Sequence, residues 1–333
     1  MIIAVVSRKG GVGKTTSVVS LAGALARLEK RVLVVDLDSQ ASASLSLGIA
    51  RGELAPSIHD VLFRKLPAAQ AIRSTLTPGV DLLTASADLM HADVELAPVR
   101  NRETKLREAL APVAGSYDWI LLDCPPSFNT LAQSALVACD HFIVPAVPHF
   151  LAFDGIQPLI EAAARLGGRY GRSSGFLGVL LTMVDNRTKS ARAQATALRE
   201  KLGDKVFDCE IPVNVRLAEA PESGQTIFQW YPQAAGAHAY RLAAVELLHR
   251  TGQEPAEVQS VDPQPVDPKA AETTRKPEPV PPTVAPPTLP ADTAVATVST
   301  FAAPPPEPQP ALEADAAPVP GLDADDTAGS PIN

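Results

Sequence analysis

The sequence has few cysteines and no long apolar run. Its three cysteines, Cys124, Cys139 and Cys209, are widely separated, unlike the dense cysteine pattern of a disulfide-stabilised secreted domain. No apolar stretch approaches the roughly 18 residues of a membrane span, and no basic segment with an apolar core opens the chain as in a signal peptide. We therefore expect a cytoplasmic protein with reduced thiols and no membrane insertion.

Proline and acidic residues are distributed very unevenly along the chain. From Gln253 onward the sequence holds 19 of its 32 prolines, with 13 acidic and 3 basic residues, a net charge of −10. Because the whole chain has a formal charge of −8, residues 1–252 carry +2. A proline-rich polar segment buries too little apolar surface to offset its chain entropy. We predict one large α/β domain over 1–252 and a disordered tail over 253–333.

The N-terminal segment predicts a strand, a glycine-rich loop and a helix. Apolar residues run from Ile2 to Val6, and they recur at helical spacing between Ser17 and Leu28. Glycines in such a loop let backbone N–H groups surround a polyphosphate, and the helix N-terminus adds its positive dipole end. The loop residues predicted to bind phosphate are Lys9, Gly10, Gly11, Val12, Gly13, Lys14, Thr15 and Thr16. Lys14 should reach the β- and γ-phosphates, and the Thr15 hydroxyl should bind Mg²⁺.

A second lysine distinguishes this loop from the general phosphate-binding pattern. That pattern has glycine where this chain has Arg8, and Lys9 follows at the next position. This deviant form resembles the phosphate loop of the ParA/MinD family of dimerising ATPases, and the resemblance extends over residues 1–250. It implies ATP and Mg²⁺ as ligands, slow intrinsic hydrolysis, and an ATP-dependent homodimer in which Lys9 reaches the partner's nucleotide. Lys14 and Lys9 would then neutralise charge that develops during hydrolysis.

The next apolar run, 32–35, ends in two carboxylates, Asp36 and Asp38. An apolar strand ending in acids is typical of a parallel sheet that is buried on both faces and binds ligands at its carboxyl edge. The text resembles the family's Asp-x-Asp-Pro-Gln, although Ser39 replaces the usual proline. By this resemblance Asp38 positions the attacking water, and Asp36 lies near the metal.

A third strand is predicted at residues 119–122, followed by Asp123-Cys124-Pro125-Pro126-Ser127. Four apolar residues before an aspartate form the strand whose carboxylate holds Mg²⁺ in phosphate-loop enzymes, here beside Thr15. The text also resembles the family's Asp-x-Pro-Pro-Ser, where the segment after the aspartate senses the γ-phosphate. Together these segments predict a doubly wound, mostly parallel sheet with helices on both faces.

In the remaining segments the sequence predicts helices and strands but few residues with a chemical role. Helical patterns are predicted at 57–63, 68–75, 88–96, 103–113, 154–166, 188–203 and 234–248, with strands at 80–84, 141–148 and 176–184. His59 and His91 lack metal-ligand spacing and are predicted to be surface or capping residues. By resemblance, the loops around Asp185, Asn186, Pro212 and Asn214 hold the adenine ring.

Basic residues cluster around the helix predicted at 188–203. At helical spacing Lys189, Arg192 and Arg199 fall in one sector roughly 80° wide. Arg187 precedes this helix and Arg216 follows it, in text that resembles a segment whose basic residues contact phosphates in DNA-binding relatives. A solvated charged flank is the simpler explanation of the stripe. With only +2 on residues 1–252, DNA binding would depend on this local patch.

The resemblance predicts a Soj-type partition ATPase that is nucleoid-associated, binds DNA non-specifically as the ATP dimer, and is stimulated by a ParB-like partner. A MinD-like ATPase that cycles on a membrane or protein scaffold remains the alternative, although the acidic, proline-rich tail lacks the required basic amphipathic helix. An iron–sulfur reductase would need a cysteine where Thr130 stands. A related tyrosine kinase would need tyrosines in 253–333, which has none. The cargo, whether chromosome, plasmid, receptor array or protein compartment, stays open.

Overall fold

The computed structural model describes residues 1–149 and 152–253, which contain one eight-stranded sheet. In chain order the strands are β1 (Ile2–Val5), β2 (Val32–Asp36), β3 (Ile72–Ser74), β4 (Val80–Leu83), β5 (Trp119–Asp123), β6 (His141–Ala146), β7 (Gly175–Val184) and β8 (Val206–Pro212). They lie in the order β3-β4-β2-β5-β1-β6-β7-β8. Among them β3 is antiparallel to β4, and every other neighbouring pair is parallel.

Helices connect the strands and cover both faces of the sheet. Within the described ranges the α-helices are α1 (Lys14–Arg27), α2 (Ser42–Ser46), α3 (Ile58–Phe63), α4 (Ala68–Ala71), α5 (Ala92–Leu96), α6 (Lys105–Ala114), α7 (Thr130–Ala138), α8 (Ala152–Tyr170), α9 (Lys189–Leu202), α10 (Val215–Glu219), α11 (Ile227–Trp230) and α12 (Ala235–Arg250). One apolar core contains residues of α6, α7 and α8, and the other contains residues of α1 and α12. The predicted doubly wound fold is confirmed.

The central strands explain why the ligand site lies at one edge of the sheet. All five residues of β2 and of β5 are buried, as expected for strands covered on both faces. Strand β1 lies between β5 and β6, so the loop that follows β1 emerges at the centre of the carboxyl edge. The β2–β5 register sets Asp36 beside Asp123. Parallel pairing therefore brings the ends of three separate sequence segments together.

Two strands at the ends of the sheet differ from the sequence prediction. The predicted helix 68–75 ends at Ala71, and the following three residues form β3, which pairs with β4. Strand β8 had no sequence prediction, because its exposed Asp208 and half-buried Glu210 interrupt the apolar run. Both strands depend on pairing with a neighbour, and short-range patterning does not report such pairing.

Helix α12 is attached to β7 and β8 through its last residue. The Arg250 guanidinium donates hydrogen bonds to the carbonyl oxygens of Leu177, Asp204 and Val206, at 2.9, 2.7 and 2.8 Å. It also pairs with Glu246 one helical turn earlier, at 2.8 Å. A planar, five-donor group suits this many acceptors better than an ammonium does. One side chain thus joins the helix to two strands.

The histidine and cysteine predictions have different outcomes. His59 is 5% exposed, packs against the tilted Phe63 ring and contacts Glu95 at 3.1 Å through Nε2, so the prediction of a surface position was wrong. The three cysteines are free thiols. Burial raises the pKa of Cys139 to about 12 and raises the pKa of Cys124 and Cys209 well above the ordinary thiol range. These thiols are therefore protonated at neutral pH.

Two predictions made from composition can be compared only with the residues that the structure describes. No helix within residues 1–149 and 152–253 is long and apolar enough to cross a bilayer. The predicted boundary after residue 252 falls one residue before the described part ends. The predicted disordered tail over 253–333 lies, apart from Gln253, outside the described residues.

Candidate functional site

The glycine-rich loop connects β1 to α1 and leaves the helix N-terminus open. Gly11 and Gly13 have φ values of 68° and 80°, in the left-handed region that glycine adopts without strain. The Thr182 hydroxyl of β7 donates to the Val12 carbonyl at 2.9 Å and holds the loop against the sheet. No side chain of the described residues caps α1, whose N-cap is Gly13. The first N–H groups of this 14-residue helix are therefore available to an anion.

The Lys14 side chain lies against the loop that is predicted to bind phosphate. Its side chain is 7% exposed, and its ammonium donates to the Lys9 carbonyl at 3.2 Å. Burial lowers the pKa of Lys14, while the charges of Asp123 and Asp38 oppose this shift. The loop and Asp38 line the same cavity of about 600 Å³, here called the phosphate cleft, together with Pro126. The structure thus brings Lys14, Thr15 and Asp38 to one space.

Thr15 and Asp123 form the pair expected at a magnesium site. The Thr15 hydroxyl donates to Oδ2 of Asp123 at 2.8 Å. The other carboxylate oxygen, Oδ1, is buried and has no hydrogen-bond partner among the described residues. Burial, then the charge of Asp36, raises the pKa of Asp123. An unpartnered buried carboxylate oxygen beside a threonine hydroxyl fits a hard divalent cation and its water ligands.

Asp36 holds the loop that contains Asp38. It is fully buried, and its Oδ2 accepts from the backbone N–H and the hydroxyl of Ser44 at 2.9 and 2.7 Å. Its Oδ1 accepts from the Asp38 backbone N–H at 3.1 Å, and Gln40 N–H donates to the Asp38 carboxylate at 3.0 Å. Burial raises the pKa of Asp36 to about 6. The contacts give Asp36 a positioning role, and its predicted proximity to a metal stays a prediction.

Lys9 lies at an exposed position of the loop, close to the end of β6. Its backbone N–H donates to the Ser7 hydroxyl at 3.4 Å. A mainly apolar cavity of about 280 Å³ lies between Lys9, the end of β6 and the start of α8. A Cβ added to Gly155 would meet the Lys9 side chain at 3.7 Å. The predicted reach of Lys9 to a partner's nucleotide therefore starts from an exposed position.

A smaller cavity beside the loop is lined by only some of the residues that were predicted to hold the adenine ring. It measures about 220 Å³ and is lined by Gly13, Thr16, Pro212 and Asn214, among others. The side-chain oxygen of Asn214 is buried without a hydrogen-bond partner in the described part of the chain. Neither Asp185 nor Asn186 lines this cavity. Asp185 instead pairs with Arg187 at 2.8 Å, and Asn186 contacts Glu210 at 3.5 Å.

The five predicted DNA contacts are placed differently in the structure. Lys189, Arg187 and Arg192 are exposed around the start of α9, where Arg192 donates to the Asn186 carbonyl at 2.9 Å. Arg216 is half exposed, pairs with Glu219 at 2.6 Å and covers the Tyr231 ring. Arg199 instead donates to the Phe207 and Asp208 carbonyls and to Glu210. The expectation that Arg199 lies on a solvated flank does not describe its position against β8.

Three residues of the site have no sequence signal. Ser44, besides holding Asp36, accepts a hydrogen bond from the Ala85 N–H at 3.1 Å. Thr182 supports the loop from a distant strand, and Tyr240 of α12 contacts the Ser17 hydroxyl at 3.0 Å. Each lies among residues of ordinary composition. Their roles depend on long-range packing that no local motif encodes.

This architecture defines the class of the protein. A glycine-rich loop between a central parallel strand and a helix, facing an aspartate at the end of a neighbouring strand, defines a P-loop nucleotide-binding protein. The comparisons with known proteins then give the family: the chain belongs to the ParA/Soj family of P-loop ATPases. The predicted family resemblance is confirmed.

The sequence comparisons cover most of the described chain. Residues 1–171 match a family model described as "AAA domain". The chain is 38% identical over 251 residues to the chromosome partitioning protein ParA of Caulobacter vibrioides, covering 75% of this chain and 94% of that protein. It is 37% identical over 246 residues to the sporulation initiation inhibitor protein Soj of Bacillus subtilis, covering 74% and 97%.

A solved structure shows the same fold. It is cobyrinic acid a,c-diamide synthase from Mycobacterium smegmatis with a bound ATP analog and magnesium. The TM-score is 0.65 with 31% sequence identity, and the match covers 76% of this chain and 97% of that one. At least one protein with a similar fold therefore binds a nucleotide analog together with magnesium.

Proposed function

We propose that this protein is an ATP hydrolase that dimerises with ATP, binds DNA non-specifically as the dimer, and is stimulated by a ParB-like partner to position a cargo. The observation that supports this most is the convergence of Lys14, Thr15 and Asp38 on one phosphate cleft at the centre of the carboxyl edge. Membership of the ParA/Soj family supports the partition role.

Nucleotide binding follows from the contacts of the loop. The backbone N–H groups of Gly10 to Thr16 and the open end of α1 would bind the phosphate oxygens, and Lys14 would exchange the Lys9 carbonyl for phosphate. Thr15 and Asp123 would hold Mg²⁺, which neutralises charge on the β- and γ-phosphates when bound. The adenine base would occupy the cavity lined by Pro212 and Asn214, with the unpartnered Asn214 oxygen as an acceptor.

Hydrolysis is assigned to the loop held by Asp36. The Asp38 carboxylate, oriented by the Gln40 N–H, would hold the attacking water in line with the γ-phosphate. Lys14 from the same protomer and Lys9 from the other would stabilise the negative charge of the transition state. Because that geometry requires both protomers, turnover would end the dimer and release bound DNA.

DNA retention is assigned to the exposed basic residues, Arg187, Lys189, Arg192 and Arg216. Arg187 and Arg216 each have a carboxylate partner in the structure. Ion pairs this exposed contribute little stability, so phosphates could replace those carboxylates at low cost. Dimerisation would double the number of such contacts. Arg199 is not included, because β8 holds its guanidinium.

The test measures duplex DNA retention and ATP hydrolysis across a salt series with ATP, ADP or no nucleotide. We expect retention only with ATP, falling steeply with salt. Lys14→Ala should lower hydrolysis at least about a hundredfold, and Asp38→Ala should accumulate an ATP-bound dimer. Arg192→Glu should lose DNA while still dimerising, whereas the exposed Arg51→Glu should keep DNA. ATP-driven dimerisation without DNA binding would refute the DNA role and favour a MinD-like cycle on another surface.

A further inference from the structure

Arg8 is the residue of the glycine-rich loop to which the proposed function gives no role. The general phosphate-binding pattern has glycine at this position, and a glycine contributes only its backbone. Ser7, just before it, is 7% exposed, whereas residues 8 to 11 are all exposed. The chain therefore leaves the core at Arg8 and places a charged side chain at the surface of the loop.

The Arg8 guanidinium has no hydrogen-bond, ion-pair or ring partner among the residues that the structure describes. Its five N–H donors are suited to phosphate, because two of them can bind two oxygens side by side. An exposed arginine is ordinary on a protein surface. What distinguishes Arg8 is its position in a loop that is built to bind phosphate, where an unpaired cation is available to that ligand.

The backbone on both sides of Arg8 is held in place. The Val6 N–H donates to the Ile143 carbonyl of β6 at 3.1 Å. On the other side of Arg8, the Lys9 N–H donates to the Ser7 hydroxyl at 3.4 Å. A side chain reaches a defined position more accurately from a fixed backbone than from a mobile one. Arg8 therefore starts from a supported position, although its side chain is exposed.

Arg8 is not part of the nucleotide cleft of its own protomer. The loop residues that line the phosphate cleft all come after Lys9 in the sequence. The apolar cavity beside the end of β6 is lined by Ser7 and Lys9, but not by Arg8. Arg8 thus belongs to the outer surface of the loop, where a second molecule can approach it.

The ATP dimer of the proposed function brings a phosphate to this surface. In that dimer Lys9 reaches the nucleotide of the other protomer, and Arg8 is its neighbour on the same exposed stretch. A twofold dimer sets the same surface of both protomers against each other, so a group that crosses the interface does so twice. Two adjacent cations on one supported loop can therefore enter the same partner cleft.

We propose that Arg8 binds the γ-phosphate of the ATP held by the partner protomer and is a second catalytic cation beside Lys9. This assignment rests on the proposed function, because it requires the ATP dimer. Lys9 supplies a single point charge, whereas Arg8 donates two parallel N–H bonds to two oxygens of the γ-phosphate. Arg8 thereby fixes the orientation of the group that water attacks.

The reaction needs no proton from Arg8. The oxygen of water bonds to the γ-phosphorus, while the bond from that phosphorus to the bridging oxygen of ADP breaks. ADP keeps the electron pair of the broken bond, and both water protons go to the phosphate that forms. Arg8 stays protonated throughout and stabilises the negative charge of the transition state through its two hydrogen bonds.

Steady-state ATP hydrolysis by the full chain measures the contribution of Arg8. Arg8→Ala should lower kcat at least about tenfold, because a charge-stabilising donor is lost from the transition state. Arg8→Lys should recover only part of the rate, since an ammonium cannot bind two oxygens in a plane. Arg51→Ala, at another exposed arginine, should keep the kcat of the unsubstituted chain. Equal kcat values for Arg8→Ala and Arg51→Ala would refute the proposal.

A mixture of two variants decides whether Arg8 acts across the interface. Asp38→Ala lacks the water-positioning carboxylate but keeps Arg8, whereas Arg8→Ala keeps Asp38. In a mixed dimer the site that contains Asp38 receives Arg8 from the other protomer. An equimolar mixture, combined before ATP is added, should therefore hydrolyse ATP at least about threefold faster than the mean of the two variants alone.

The control for the mixture replaces Asp38→Ala by a variant that carries both Asp38→Ala and Arg8→Ala. This mixture should show no gain, because neither protomer supplies Arg8. A gain of the same size in the control would refute the assignment. A first mixture that hydrolyses ATP only at the mean rate would show that Arg8 does not act on the partner's nucleotide, which also refutes it.

Light scattering after size-exclusion chromatography separates catalysis from assembly. With ATP and Mg²⁺, the variant that carries both substitutions should form a dimer as Asp38→Ala does. Loss of that dimer would mean that Arg8 holds the interface together, and the catalytic assignment would be wrong. If the unsubstituted chain hydrolyses no ATP, the proposed function fails and this assignment fails with it. Hydrolysis without a gain in the first mixture refutes only the role of Arg8.

Discussion

Two buried carboxylates, Asp36 and Asp123, lie side by side at the ends of β2 and β5. Asp36 has hydrogen-bond donors on both oxygens, whereas Asp123 has one oxygen without a partner in the described part of the chain. Each loses solvation on burial, and the negative charge of one raises the cost of the other. Without a cation, this arrangement stores electrostatic repulsion at the site.

The repulsion predicts how the stability of the metal-free protein depends on pH. The folded pKa of Asp36, about 6, lies above its ordinary value of 3.8, so the ionised group destabilises the fold at pH 7. This cost disappears as the pH falls through 6 towards 4. We expect Asp36→Asn to gain up to about 3 kcal/mol in free energy of unfolding, relative to the unsubstituted protein, between pH 4 and pH 7.

Urea unfolding in EDTA at several pH values measures this difference. Asp208→Asn, at an exposed position on β8, serves as the control and should give a nearly constant offset. Parallel curves for Asp36→Asn and the unsubstituted protein would show that burial does not perturb this carboxylate. Excess Mg²⁺ should reduce the gain, because a cation beside Asp123 offsets the repulsion.

The residues of the site differ in how readily sequence predicts them. The sequence predicts that Lys14, Thr15 and Asp123 lie close together, because loop chemistry and strand ends fix their positions locally, and the structure brings them together. Ser44 and Thr182 could not, since their functions depend on contacts with Asp36 and Val12 that only the folded sheet creates. The helical periodicity correctly predicted that Arg199 belongs to a helix. It could not predict the hydrogen-bond acceptors that the neighbouring β8 offers to Arg199.

At the scale of secondary-structure elements, the contacts of Arg250 attach α12 to β7 and β8, and one substitution can remove them. Arg250→Ala would remove the guanidinium donor from the Leu177, Asp204 and Val206 carbonyls. Glu246 would lose its ion pair but keep the backbone N–H donors of residues 208 and 209. We expect a loss of about 2 to 4 kcal/mol in free energy of unfolding, because the substitution removes several hydrogen bonds of one charged, mostly buried side chain.

Chemical unfolding followed by circular dichroism checks this loss. Arg241→Ala, at an exposed position on the same helix, should change stability by no more than about 0.5 kcal/mol. Arg250→Lys should restore only part of the stability, since an ammonium cannot serve all four acceptors in a plane. A loss for Arg250→Ala no larger than that for Arg241→Ala would contradict the attachment.

The elements that sequence predicts well are those buried on both faces. Strands β2, β5 and β6 consist almost entirely of buried residues, so their apolar runs are unambiguous. Strands β3 and β8 lie at the two ends of the sheet, where partial exposure admits polar residues. Their conformation is set by one neighbouring strand, which is why the sequence indicated a helix for β3 and nothing for β8.

For the whole molecule, charge is divided between residues 1–252 and the rest of the chain. We expect a chain that ends at Gln253 to keep the thermal unfolding midpoint of the full chain and to retain DNA at higher salt. The reason is removal of a net charge of −10, which repels phosphates and competes for basic residues.

Thermal unfolding and DNA retention compare this truncated chain with two full-length proteins. The first is the unsubstituted chain, and the second has each of its 13 acidic residues after position 253 replaced by the matching amide. The amide chain should behave like the truncated chain if charge causes the difference. Unchanged DNA retention in both variants would show that this charge plays no part.

The three native thiols have a practical value for following the proposed ATPase cycle optically. Cys124 and Cys139 are buried, and the pKa of each native cysteine is raised by burial, so little reactive thiolate exists at neutral pH. A cysteine introduced at the exposed Val94 position should therefore take a maleimide dye almost alone. Single-molecule fluorescence from a dye at that position would then require no cysteine-free background.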